Sequence, residues 1–159
     1  MEDSIRKADV LIEAMPYLQA FRGKIIVAKY GGSAIDNAGA MRGILQDLVF
    51  LSTVGIRAVL VHGGGPMITR KLSGRGKATR FIDGMRVTDE QTIRIVHREL
   101  EAVNRRLVGH VRALGGQAEG LGPAREVVAA APHARASELG FVGSVASVHT
   151  GSIRRVFLR

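Results

Sequence analysis

The 159-residue chain contains no cysteine, which excludes disulfides, thiolate catalysis and cysteine-ligated zinc. Aromatic residues make up only 4% of it, too few for a base-stacking platform on which nucleic acid could lie. No run of about 18 apolar residues is present, so no helix that spans a bilayer is expected. The opening "MEDSIRKADVLIEAMPYLQAF" mixes acids with bases and lacks the short apolar core of a signal peptide. We therefore expect a soluble, cytoplasmic protein with neither a membrane nor nucleic acid as its partner. Internal repeats and low-complexity segments are also missing. What remains is 46% hydrophobic residues, enough for the core of about one domain, and 23 basic against 14 acidic residues, a net charge of +9. That balance favours anionic partners: phosphorylated ligands, carboxylates or, on charge alone, nucleic acid.

Helix and strand signals alternate along the chain. Residues 5 to 21 carry apolar positions at Ile5, Ala8, Leu11, Ile12, Met15 and Leu18, which is helical spacing, and Pro16 is expected to kink or interrupt the helix. "KIIVAKY" (24 to 30) reads as a buried strand, 35 to 55 as a helix stopped by Gly55, and "RAVLVH" (57 to 62) as a second buried strand. Strand, helix and strand of these lengths make the right-handed crossover of a parallel sheet. "GPMITRKLSGRG" continues as a short helix, and "FIDGMRVTD" (81 to 89) as a hairpin about Asp83-Gly84. A long helix follows, capped by Thr88 or Asp89, with Ile93, Val96, Leu100, Val103, Leu107, Val111 and Leu114 in one apolar stripe suited to core or dimer packing. "QAEGL", "REVVAAA" and "GFVGSVASVHT" read as short strands.

Chemistry concentrates at the strand ends. "VLVHGGGP" (59 to 66) puts three glycines between a parallel strand and a helix. A tight turn needs one glycine, whereas three in a row leave a surface without side chains, suited to the close approach of an anion at a helix N-terminus. The Walker pattern GxxxxGK[ST] and the full GxGxxG are both absent. Lys29 stands at the tip of its strand before Gly31 and Gly32. Taken alone it reads as a snorkelling lysine, but beside a glycine-lined anion site it can neutralise a transferring phosphoryl group. Arg86 follows the hairpin turn, where its guanidinium is either a surface charge or a two-pronged holder of a carboxylate. His62 has no second histidine or carboxylate at metal-ligand spacing and reads as structural. His97, His110, His133 and His149 are dispersed, and Asp36, Asp83 and Asp89 read as caps or turn residues. No metal site made by protein groups alone is expected.

"KYGGSAID", "VLVHGGGPMI", "FIDGMRVTDEQT" and "ELGFVGSVASV", in this order and spacing, closely resemble the N-terminal lobe of the N-acetylglutamate kinases, within the amino acid kinase family. The resemblance runs from about residue 8 to residue 150. It implies a three-layer α/β/α sandwich with a mainly parallel sheet, occupying residues 23–159 and ending before the nucleotide lobe. Residues 1–22 are similar to the extra helix through which the arginine-sensitive members form hexamers, so a homo-oligomer, dimer or hexamer, is implied. Carried over by position, Lys29 would be catalytic, Gly64, Gly65 and Arg86 would bind substrate, and Gly31, Gly32 and Gly63 would line the phosphate path. The implied reaction takes the γ-phosphoryl group of ATP, brought in with Mg2+, to the side-chain carboxylate of N-acetyl-L-glutamate in arginine biosynthesis. A charged, loose transition state needs positioning and neutralisation rather than a covalent nucleophile, which suits a lysine among bare amides.

The sequence also departs from the family. Family chains are nearly twice as long, and their second half supplies the nucleotide pocket. The "GLSGKDG" usual after the long helix reads Gly120-Leu121-Gly122-Pro123-Ala124-Arg125, and the "GKVN" region reads Glu101-Ala102-Val103-Asn104. A non-catalytic module that keeps the acidic-ligand pocket and the assembly surface is the alternative.

Overall fold

The computed structural model describes residues 1–31, 35, 37–122 and 127–158. Helix α1 (Glu2–Phe21) opens the chain and buries none of its residues. Pro16 does not interrupt it. The proline lacks the N–H that would have bonded to Ile12, yet the helix continues beyond it and closes with the Arg22 N–H donating to Leu18 O at 3.0 Å. One lost bond in a helix open to water leaves a carbonyl that solvent can satisfy.

Strand β1 (Ile25–Tyr30) pairs in parallel with β2 (Arg57–His62), Ile25 opposite Arg57 through to Tyr30 opposite His62. The crossover between them is α2 (Ala38–Thr53), which begins three residues later than the apolar pattern suggests, because the side chain of Asn37 takes the Ala40 N–H at 2.9 Å and so fixes the start. The sequence expectations for Gly32 and Asp36 lie outside the described residues. Alternation along the strands sorts their side chains into two faces. Tyr30 and Leu60 meet Leu45 of α2 and, from α4 (Glu90–Ala113), Val103 and Leu107, to form the main core. The opposite face carries Ile25, Val27 and Lys29 beside Arg57, Val59 and Val61, and it stays open: Val27 is 64% and Val61 49% exposed.

Helix α3 (Gly65–Ser73) packs Ile68 and Leu72 against Ile95 of α4, a second small core. Between these helices lies the expected hairpin, β3 (Phe81–Ile82) and β4 (Met85–Arg86), with Asp83 and Gly84 both at positive φ, 49° and 77°. That pairing is the type I′ turn whose twist suits a two-residue loop. Asp89, rather than Thr88, caps α4, accepting the Thr92 N–H at 2.8 Å.

Strands β5 (Val128–Pro132) and β6 (Gly143–Val148) form an antiparallel ribbon, with the short α5 (Ala136–Leu139) between them and α6 (Thr150–Val156) after. "QAEGL" (117 to 121) forms no strand, and the first two residues of "REVVAAA" lie outside the described set. Neither short helix follows from the sequence pattern, each being too brief to show a period. The class is the α/β one expected. Among the described residues, parallel pairing is confined to β1–β2 and an isolated bridge from Thr88 to Gly140.

Candidate functional site at the glycine turn

The site is built where β1 and β2 end side by side. The Gly63 N–H donates to Tyr30 O at 3.1 Å, carrying the parallel ladder one residue past β2 and drawing the glycine turn against the end of β1, where Gly31 follows. Helix α3 then starts at Gly65, with Gly64 as its capping residue and a proline in the first turn. Among the described residues, the N–H groups of Gly64 and Gly65 have no acceptor. They sit at the positive end of the helix dipole, where donors are left over by geometry and an anion is favoured. A Cβ at Gly63 or Gly65 would meet nothing within 4 Å, so the bare backbone there faces open space. At Gly64 a Cβ would press on Leu100 Cδ2 at 3.0 Å.

Arg86 reaches the same turn from the hairpin. One guanidinium nitrogen, Nη2, donates to Thr69 Oγ1 at 2.9 Å and, at a long 3.4 Å, to Gly65 O; Nη1 donates to Thr79 Oγ1 at 3.1 Å. The guanidinium lies 4.8 Å from the centre of the Phe81 ring, a cation-π distance. Partial burial lowers the Arg86 pKa from its ordinary value, and the group remains charged. Its hairpin is braced in turn, since Arg135 Nη1 donates to Asp83 Oδ2 at 2.5 Å and the Thr88 N–H donates to Leu139 O at 2.8 Å. A braced arginine with unspent donors, beside free amides, can take a carboxylate without first being ordered.

Gly63, Gly64, Gly65 and Arg86 are thus brought together, with Gly31 next to them and Gly32 outside the described residues. Lys29 ends on the same edge, paired across with Val61, but its side chain leaves from the open face of the sheet. No described hydrogen bond or ion pair holds it. A long, unrestrained ammonium there is free to swing to an anion lying over the strand ends.

Sequence reasoning missed the arginine's supports, Thr69, Thr79 and Phe81. It also missed a pair beneath the turn: the Asn104 side-chain nitrogen lies 3.2 Å from His62 Nε2, while His62 Nδ1 lies 3.2 Å from Gly63 O. Partners 42 positions apart leave no periodic signal in one chain.

Comparison with known proteins agrees with this architecture. Residues 24–158 match the amino acid kinase family. The acetylglutamate kinase of Thermoanaerobacter pseudethanolicus is 41% identical over 149 residues, covering 92% of this chain and 50% of that one. Those of a Synechococcus strain and of Clostridioides difficile are 44% and 43% identical over 92% of this chain. The chain spans about half the length of the curated relatives it matches, as fits an N-terminal lobe. Among solved structures, N-acetylglutamate synthase from Neisseria gonorrhoeae, complexed with coenzyme A and N-acetyl-glutamate, superposes with a TM-score of 0.75 at 24% identity, over 92% of this chain and 34% of that one. A Streptococcus mutans protein superposes with a TM-score of 0.72 at 27% identity, over 84% and 54% of the two chains. With its glycine turn, its parallel βαβ unit and these relatives together, the chain belongs to the amino acid kinase family.

Proposed function

We propose that this chain is the acidic-substrate lobe of an acetylglutamate kinase, a cytoplasmic enzyme of arginine biosynthesis that phosphorylates the side-chain carboxylate of N-acetyl-L-glutamate with ATP. The observation that carries the reading is the meeting of Arg86, held by Thr69 and Thr79, with the amides of Gly64 and Gly65, which have no acceptor among the described residues. In it Arg86 grips the α-carboxylate, and Gly64 and Gly65 let the acid lie against backbone. Lys29 neutralises the charge that grows on the phosphoryl group in transit, with Gly31, Gly32 and Gly63 leaving its path clear. Among the described residues no three His, Asp or Glu side chains group to hold a metal. Mg2+ would enter with the nucleotide, held mainly by phosphates. Because the relatives are twice as long, the nucleotide pocket is assigned to a partner lobe. The exposed α1 is assigned to assembly of a homo-oligomer.

The test is thermal. N-acetyl-L-glutamate at millimolar concentration should raise the Tm, and Arg86→Ala should abolish the shift; an unshifted wild type would overturn the reading. Arg86→Lys keeps the charge but loses the fork, and should weaken binding by about tenfold or more. A second reading is a binding module without catalysis. Lys29-dependent formation of ADP by this chain would exclude it.

A further inference from the structure

The pair beneath the glycine turn determines a proton. The Gly63 carbonyl can only accept, so His62 Nδ1, at 3.2 Å from it, must carry the hydrogen. With the Asn104 side-chain nitrogen, a donor, placed 3.2 Å from His62 Nε2, the contact is a hydrogen bond when Nε2 is bare. Both contacts are met by the same neutral tautomer. A Cβ at Gly120 would stand 2.1 Å from the Asn104 side-chain oxygen, so the glycine leaves that side chain its place.

The consequence reaches the site through one rigid plane. The Gly63 carbonyl and the Gly64 N–H belong to the same trans peptide unit and point in opposite directions. Holding the carbonyl on His62 therefore aims the Gly64 N–H the other way. The peptides on either side are held, the Gly63 N–H donating to Tyr30 O and Gly64 O accepting from the Ile68 N–H, while at the Gly63–Gly64 peptide itself neither glycine has a side chain to restrict rotation. The Gly63 N–H is already spent on Tyr30 O, so the Gly64 amide is the first donor of the turn that a ligand can use. We propose that Asn104 and His62 are positioning residues: Asn104 selects the Nδ1–H tautomer of His62, which locks the Gly63–Gly64 peptide so that the Gly64 N–H is presented to the bound carboxylate. The pairing and the locked peptide stand on the geometry alone, and the carboxylate is that of the substrate reading above.

Nuclear magnetic resonance of histidine-labelled protein tests this directly. At about pH 8, where an ordinary histidine is neutral, ligand-free wild type should show His62 with a protonated Nδ1 and a bare Nε2. Asn104→Ala should give a mixture of tautomers and displace the Gly64 amide resonance. Its affinity for N-acetyl-L-glutamate should fall about tenfold, the loss usual when a group that orients a ligand-binding residue is removed. His97→Ala, an exposed control, should change neither. Should Asn104→Ala fold poorly, Asn104→Asp keeps the size and presents only acceptors; it should draw a proton onto Nε2. An Nε2–H tautomer in the wild type, an unmoved Gly64 amide in Asn104→Ala, or unchanged affinity in that variant would overturn the proposal. If the wild type fails to bind N-acetyl-L-glutamate, the substrate reading falls, and the tautomer and the Gly64 resonance still decide the locking.

Discussion

Two glycines illustrate how differently one residue type can be used. Gly65 has open space where a Cβ would stand. We expect Gly65→Ala to leave the Tm within a degree or two of wild type, while the added methyl obstructs the anion cradle and removes the thermal shift given by N-acetyl-L-glutamate. Gly140 is the reverse case. It sits at φ 73° in the bridge to Thr88, and a Cβ there would collide with the Thr88 carbonyl. Gly140→Ala should cost at least about 2 kcal/mol in denaturant unfolding, since a strained φ and a backbone clash both act. Only the first kind of glycine was legible in the sequence. Three in a row after a strand announce a bare surface, whereas a lone glycine at a contact between distant segments looks like any loop residue. The same blindness hid Thr69 and Thr79, ordinary polar residues until Arg86 lies between them.

Helix α4 was the most readable element, because 24 residues give the apolar stripe room to repeat. Its cap is electrostatic as well as geometric. Asp89 accepts from Lys77 and from the Thr92 N–H, and these bonds lower its pKa to about 2. A depressed carboxylate contributes stability above its unfolded value, about 3.9, and loses it as pH falls toward 2. The Tm of wild type should therefore drop across that acid window, and Asp89→Asn should flatten this part of the profile. The Asp89 side chain is 61% exposed and that of Lys77 24%, so solvent screens the contact in part, and added salt should shrink the difference. Helix α2 offers a plainer test. Leu45 is wholly buried between α2, α4 and the sheet, and Leu45→Ala should cost about 2–5 kcal/mol in the same unfolding experiment. The start of α2 was misjudged from sequence because a cap belongs to a single side chain, Asn37, and a periodic pattern cannot see it. The segment 117 to 121 was misjudged for a related reason: alternation alone does not tell whether a partner edge lies within reach.

On the scale of the molecule, the βαβ core and the Arg86 hairpin could be anticipated from the sequence. One face of the β1–β2 sheet and one side of α1 leave large apolar side chains in water: Val27 and Val61 on the sheet, Leu11 at 65% and Ile12 at 62% on the helix. A monomer rarely leaves so many large apolar side chains in water. We expect the protein to run as an oligomer in light scattering, and deletion of residues 1–22 to lower the number of subunits; an unchanged subunit number would remove the assembly role from α1. The open face has a stricter implication for Lys29. Side chains alternate with every step along β1, so Lys29 and Tyr30 keep opposite sides only while the count from Ile25 holds. Losing a single residue anywhere in that stretch would drive the ammonium into the oily interior and turn the tyrosine out, making the length of the strand as unforgiving as its lettering.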